Sequence, residues 1–255
     1  MFARFGERAL EPELMDDVTA GGTERRRAYR HLRRINRLFG AAGPVVYGVR
    51  RLWQEAGKPE RLLVLDIGAG SGDVNRRLLR WAARHRIRMN IVLVDIAKEA
   101  FEEAKTLYGR EKRVRFMQGD LFRLPERCAD IVTATQFAHH FASAELPGVV
   151  RHMLRASRYG VVINDIHRHW AAWSAVWLAT RCLSRNRYIR HDGPLSVAKG
   201  FRREDWLRLG NDLAECELRY WWKPMFRYVA IVRRKETAEP GRRGSGGAKN
   251  DGTDV

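Results

Sequence analysis

Three observations predict an α/β fold, a mostly parallel sheet doubly wound by helices. Apolar runs of strand length alternate with segments of helix length from residue 61 to residue 166. These runs are nearly continuous in Val, Ile and Leu, as in strands buried on both faces. The first run ends in an acid and is followed by glycines at every second position, "LDIGAGSGD" at 65–73, where a strand-to-helix turn bares its backbone.

Taken in order, residues 1–22 are polar. Thr23 is placed to cap a helix through "ERRRAYRHLRRINRLFG", where Tyr29, Leu32, Ile35 and Phe39 recur at helical spacing and Gly40 ends the run. The opposite face of this helix is almost all arginine. A second helix is expected over "PVVYGVRRLWQEAG", so that 1–58 forms an N-terminal helical cap. The α/β domain occupies 59–235, with strands at "RLLVLDIG", "MNIVLVDIA", "RVRFMQGD", "CADIVTAT" and "YGVVINDI" and helices between them. The alternation breaks at 167–200, an apolar helix followed by "SRNRYIRHDGPLSVAKG", which reads as a lid closed by a Gly-Pro turn. A helix at "REDWLRLGNDL" and two strands joined around Lys223-Pro224 complete the domain. The tail 236–255 has no apolar residue able to anchor it and is expected to be disordered.

A chain of 255 residues suits one large domain, or one domain with a lid. The formal charge of +18, from 48 Lys plus Arg against 30 Asp plus Glu, fits nucleic acid, an acidic membrane surface or an anionic ligand. It equally fits a merely soluble basic surface. Cys128, Cys182 and Cys216 are scattered and unpaired, which argues for thiols in a reducing compartment and against a disulfide frame or a metal site. "MFARFGERALEPELMDD" lacks the apolar core of a signal peptide. The stretch 170–183 carries Arg181 and is shorter than the ~20 residues a membrane span needs. A soluble cytoplasmic protein is the expectation.

Open α/β sheets bind ligands beyond the carboxyl ends of their strands. Gly68, Gly70 and Gly72 give G-x-G-x-G, unlike the G-x-G-x-x-G of a dinucleotide turn. Three acids stand at successive strand ends: Asp66, then Asp95, suited to accepting both hydroxyls of a ribose, then Asp120, suited to an exocyclic adenine amine. Together they outline a nucleoside lying across the sheet.

With these motifs, residues 60–165 resemble the class I S-adenosylmethionine-dependent methyltransferases. The resemblance implies a Rossmann-like seven-stranded sheet whose last strand runs antiparallel, with S-adenosyl-L-methionine as cofactor. It assigns cofactor-loop roles to Asp66, Gly68, Ala69, Gly70 and Gly72, the ribose to Asp95 beside Ile96, and the adenine side to Asp120 and Leu121. Gln136, after the fourth strand, joins this set. One departure is that "RASRYG" keeps only Gly160 where the family often has a paired glycine turn.

Methyl transfer from a sulfonium is an in-line displacement that needs positioning, proton removal and exclusion of water. Histidine suits the proton transfer. "TATQFAHHFAS" and "NDIHRHW" follow strands four and five and offer His139, His140 and His167. Matching His-His loops in the resembled family imply the second histidine, His140, ahead of His139, with His167 in reserve. "TQFAHH" stands where amino-methylating relatives often carry "[DNS]PP[YFW]", so an adenine amine is disfavoured as acceptor. Trp170, Trp173 and Trp177 recur at helical spacing in the expected lid, which suits either a core stripe or the cover of a lipophilic acceptor. Trp173, Trp177, Arg190 and His191 are accordingly nominated for a small phenol, quinone or polyketide-type substrate, O-methylated. RNA is the alternative, with Arg26, Arg30, Arg33, Arg34 and Arg37 as a phosphate-tracking stripe. A non-catalytic cofactor-binding module is a third reading.

Overall fold

A computed structural model describes residues 5–17 and 21–235. The expected disordered tail at 236–255 lies outside the described residues. Among these residues, seven strands form one sheet in the order β3-β2-β1-β4-β5-β7-β6. They are β1 (Arg61–Ile67), β2 (Arg88–Asp95), β3 (Val114–Gln118), β4 (Ala129–Thr135), β5 (Ser157–Ile166), β6 (Cys216–Lys223) and β7 (Arg227–Arg234). The first five pair in parallel, and β7 runs antiparallel between β5 and β6. The reversal between β2-β1 and β1-β4 is the point at which crossovers diverge to opposite faces and leave a crevice at the strand ends.

Among the described residues, eight α-helices accompany the sheet: α1 (Thr23–Leu38), α2 (Ala42–Glu55), α3 (Asn75–Arg84), α4 (Lys98–Tyr108), α5 (Leu146–Ala156), α6 (Trp170–Leu183), α7 (Arg187–Lys199) and α8 (Arg203–Asp212). One core cluster gathers β1, β2 and β4 against α2 and α3 through Val45, Val49, Leu52, Leu78 and Leu79. The other lies beneath α5 and α8, around Met153, Phe201 and Trp206. Gly48 lets α2 approach the sheet closely, because a Cβ there would run into Val162. Thus α2 packs in the sheet's own helical layer, whereas α1 crosses the strand ends.

Two local expectations are corrected. Thr23 is the first residue of α1, and its cap is Gly22 at φ +114, whose N–H donates to Glu99 Oε1 at 2.9 Å. The Gly-Pro pair does not turn the chain but lies inside α7. Gly193 is there for packing, since a Cβ would sit 2.7 Å from Thr180 on α6. Pro194 follows it within the helix, where such a residue costs about 3 kcal/mol.

Three arginines on the basic face of α1 meet an acid on α4. Arg26, Arg30 and Arg33 converge at 2.8, 3.3 and 3.3 Å on Glu103 of α4, whose side chain is buried. A buried carboxylate needs compensation of this kind. Arg34 and Arg37 stay exposed. Among the described residues, no helix is long and apolar enough to cross a membrane.

Candidate active site

The ends of β1, β2, β3 and β4 open into one cavity of about 470 Å³, inside the ~300–1,000 Å³ range of ligand sites. Gly68, Gly70 and Gly72 have φ of +59°, +54° and +71°, left-handed values that favour glycine. Gly68 and Gly70 line the cavity with Ala69 between them. A Cβ on Gly68 would strike the Phe137 ring, and the Gly70 N–H donates to Asp95 Oδ2 at 2.8 Å. Gly72 differs from its expected role and does not line the cavity. A Cβ there would collide with Leu93 of β2, and its carbonyl accepts from Tyr108 Oη at 2.6 Å. It serves close strand-to-loop packing.

The acids fall into two kinds. Asp66 is buried and accepts from Thr133 Oγ1 at 2.8 Å and Asn75 Nδ2 at 2.6 Å, tying β1 to β4 and α3. Burial pushes its carboxyl up to about 6 against these two donors. Asp95 has Oδ1 on the Ala97 N–H at 2.9 Å in addition to its bond to Gly70, and burial raises it against these backbone donors. It lines the cavity beside Ile96. Asp120 lines it beside Leu121 and accepts from the Phe122 N–H at 3.0 Å. Sequence reasoning missed Asp73, a fourth acid on the wall, raised by burial and 3.4 Å from Asn36 of α1. Gln136 sits at φ +52°, and its Nε2 donates to Asn36 Oδ1 at 2.6 Å. Asn36 therefore fixes α1 to both sides of the crevice.

The three nominated histidines are in three different environments. His139 is buried, with Nδ1 2.7 Å from Asp165 Oδ1 and Nε2 3.4 Å from Glu13 Oε1. Burial alone would lower its pKa, but Asp165 and then Glu13 outweigh it and raise it to about 9. It is an imidazolium at neutral pH and cannot accept a proton. His140 lines the cavity, with Nδ1 2.8 Å from Asp16 Oδ1. Asp16 stays ionised, brought down to about 2 despite partial burial, chiefly by its bond to His140. His167 is off the cavity. It sits in a bridge to Phe201, receives Trp222 Nε1 at 3.3 Å and packs on Tyr228, 5.1 Å between ring centroids. Burial foremost, then His169, Arg202 and Arg168, lower it to about 4. The β5–β7 corner claims this side chain, so its nomination as reserve base is not supported by position.

Glu13, His139 and His140 bring three possible metal donors within 4.8 Å of one another. The two imidazoles stack at 4.4 Å and 28°, so their in-plane lone pairs do not converge on one point. Lys199 Nζ stands 3.7 Å from both Glu13 and Asp16. The cluster suits protons and a lysine better than a metal ion.

Over β4 and β5 the cavity wall gains apolar side chains, Ile35 and Phe39 from α1, Ile166, Val176 from α6, Ile189 from α7, and Phe226, beside the polar His140, Asp192, Ser196 and Arg227. The tryptophans of α6 are elsewhere. Trp177 is exposed and lies under Arg181, 4.0 Å from the ring centroid. Trp173 packs on the cluster of Ile166, Ala172 and Val197 and meets the Phe5 ring edge-on. Neither lines the cavity, which takes Ala172 and Val176 from the adjoining face of the helix. On α7, Arg190 donates to the Ser184 and Arg181 carbonyls, and His191 pairs with Asp192 at 2.8 Å while half its side chain stays exposed. The cavity-facing residues there are Ile189, Asp192, Gly193 and Ser196.

Residues 5–17 run along this half of the site. Asp192 accepts from the Leu14 and Met15 N–H groups at 2.9 and 3.0 Å. Arg8 donates to the His139 and Phe141 carbonyls at 3.0 Å each. No spacing in the sequence links these residues to positions 139–192. The sole local sign was a run of acids, Glu13, Asp16 and Asp17, in a basic chain.

Residues 64–160 match a family model described as a methyltransferase domain. No curated protein sequence matches the chain. Among solved structures, the plantazolicin methyltransferase BpumL in complex with SAH is similar with a TM-score of 0.63 at 10% identity, over 88% of this chain and 95% of that one. A putative S-adenosylmethionine-dependent methyltransferase from Methanococcus maripaludis gives 0.57 at 14% identity, over 86% and 97%. The citrinin polyketide synthase CMeT domain gives 0.50 at 12% identity over 68% of this chain, which spans only 46% of that longer one. The glycine loop, the three strand-end acids and the 3-2-1-4-5-7-6 sheet accompany a methyltransferase-domain match over residues 64–160, and the fold is that of a Rossmann-like methyltransferase.

Proposed function

We propose that the protein transfers the methyl group of S-adenosylmethionine to an oxygen of a small lipophilic or aromatic acceptor, of phenol, quinone or polyketide type. The observation that carries this reading is the two-part cavity: carboxylates and bared backbone over β1–β3, and over β4 and β5 apolar side chains interrupted by a few polar groups, His140 and Arg227 among them. The fold is shared by a polyketide synthase domain and the plantazolicin enzyme, so the wall chemistry has to carry the choice of acceptor.

In this reading Asp95 accepts the ribose hydroxyls and Asp120 with Leu121 and Ile96 borders the adenine. The Gly68–Gly70 backbone and Gln136 hold the amino-acid end. Asp66 acts at one remove by positioning the loop through Thr133 and Asn75. The cofactor, when bound, supplies the electrophilic methyl group, and the chain's residues orient the acceptor and take its proton. His140 is the base, its Nδ1 held by Asp16 so that Nε2 receives the proton. His139 stays cationic between Asp165 and Glu13.

Methyl-labelled cofactor incubated with fractionated extract tests the reading. Label should enter the organic phase, insensitive to added salt. Label in RNA, lost steeply with salt through counterion release, would overturn it.

A further inference from the structure

Arg227 opens β7, is 3% exposed and lines the cavity. Among the described residues no hydrogen bond or ion pair reaches its guanidinium, and Nη1 is buried without a partner. The carboxylates nearest in its field are Asp165 and Asp73. Asp165 is already engaged by His139, and Asp73 accepts from Asn36. A buried arginine left single is costly, and its planar fork of donors matches a carboxylate or a delocalised oxyanion.

Its place in the sheet says which ligand could bring that oxygen. Arg227 pairs with Ile166, so β7 lies three strands from β1 in the order β1-β4-β5-β7. At about 4.8 Å per strand, its main chain is about 14 Å from the glycine loop. Its cavity neighbours Ile166, Met225 and Phe226 belong to the acceptor half. We infer that Arg227 binds an anionic oxygen of the acceptor, a carboxylate, phenolate or enolate, and so selects acidic acceptors over neutral ones. This rests on the small-acceptor reading.

The test uses the full chain saturated with SAH and two probes, 2,4-dihydroxybenzoate and its neutral methyl ester, titrated in a calorimeter. The wild type should take the acid at least tenfold tighter than the ester. Arg227→Gln should erase that preference and Arg227→Lys retain part of it, with SAH affinity unchanged in both. A wild type that takes the acid no better than the ester, or takes neither, overturns the inference. So does a tenfold loss of SAH affinity in a folded Arg227→Gln protein, which would give the arginine to the cofactor's own carboxylate. The wild-type comparison stands even if a variant fails to fold. Transfer of label to RNA, read in the separate assay above, would remove the small-acceptor reading without settling the acid-against-ester comparison.

Discussion

The buried His139 ion pair makes stability depend on pH in a defined window. Its imidazole is raised from 6.5 to about 9 in the folded protein. Burial opposes the charge, but Asp165 at 2.7 Å and Glu13 at 3.4 Å prevail over the nearby cations, Lys199 at 3.7 Å from Glu13 and Arg8 on the His139 carbonyl. A group whose pKa is higher folded than unfolded contributes its full stability below the unfolded value. That contribution is lost as pH rises through the folded value. The window is therefore pH 6.5 to 9, and about 2.5 pH units at ~1.4 kcal/mol each amounts to roughly 3 kcal/mol. Urea unfolding at pH 6.5 and pH 9 measures it. The reference is the double variant His139→Gln with Asp165→Asn, a neutral amide pair of similar size. The chain's large positive charge also changes with pH, but equally in both proteins, so it cancels from the difference. Wild type should lose about 3 kcal/mol more than the double variant across the window, roughly 1 M in urea midpoint at ~3 kcal/mol per molar. Equal losses in the two proteins would refute a charged, doubly paired His139.

His140→Ala is expected to lower turnover about 10²–10⁴-fold with SAH affinity unchanged, and higher pH should restore part of it; His167→Ala should leave turnover intact. Near-normal turnover of His140→Ala in the labelled-methyl assay would remove the base assignment. Asp95→Ala should weaken SAH binding by about 1–3 kcal/mol in calorimetry, since it deletes an acceptor and frees the Gly70 N–H it holds; equal affinity would exclude Asp95 from the cofactor site. Trp177→Ala, on the exposed face of α6, should change stability by less than about 0.5 kcal/mol and leave the acceptor KM unmoved. Val176→Phe, on the cavity wall, should raise that KM without touching SAH affinity, and the reverse pattern would return the acceptor to the tryptophan face.

The sheet and its glycine loop were legible because their signals are local. A continuous apolar run, an acid and alternating glycines occupy one short stretch, and each feature reports on the backbone beside it. Even there, equal spacing hid unequal roles: Gly68 and Gly70 face the cavity, whereas Gly72 faces Leu93. Periodicity on α6 was misleading for a related reason. The helix carries two stripes, Trp170-Trp173-Trp177 and Ala172-Val176-Thr180, and the bulkier gives the stronger apolar signal. Close approach of α7 requires small residues, so the second stripe is the one turned inward, against Gly193 and the cavity.

The charged groups of the site were illegible because their partners are far away in sequence. Arginines at every third or fourth position of α1 look solvated until α4 brings Glu103 beneath them, at least 70 residues on. That tether has a consequence for the site. Holding α1 on α4 positions Asn36 between Gln136 and Asp73, and carries Tyr29 to the edge of Gly70, where a Cβ would be 3.3 Å from the ring. The basic stripe that suggested a polymer partner thus fixes the helix that roofs the cofactor loop. Three of the five arginines of that stripe, Arg26, Arg30 and Arg33, thus have a structural use in holding α1 through a buried carboxylate on the neighbouring helix, while Arg34 and Arg37 stay exposed.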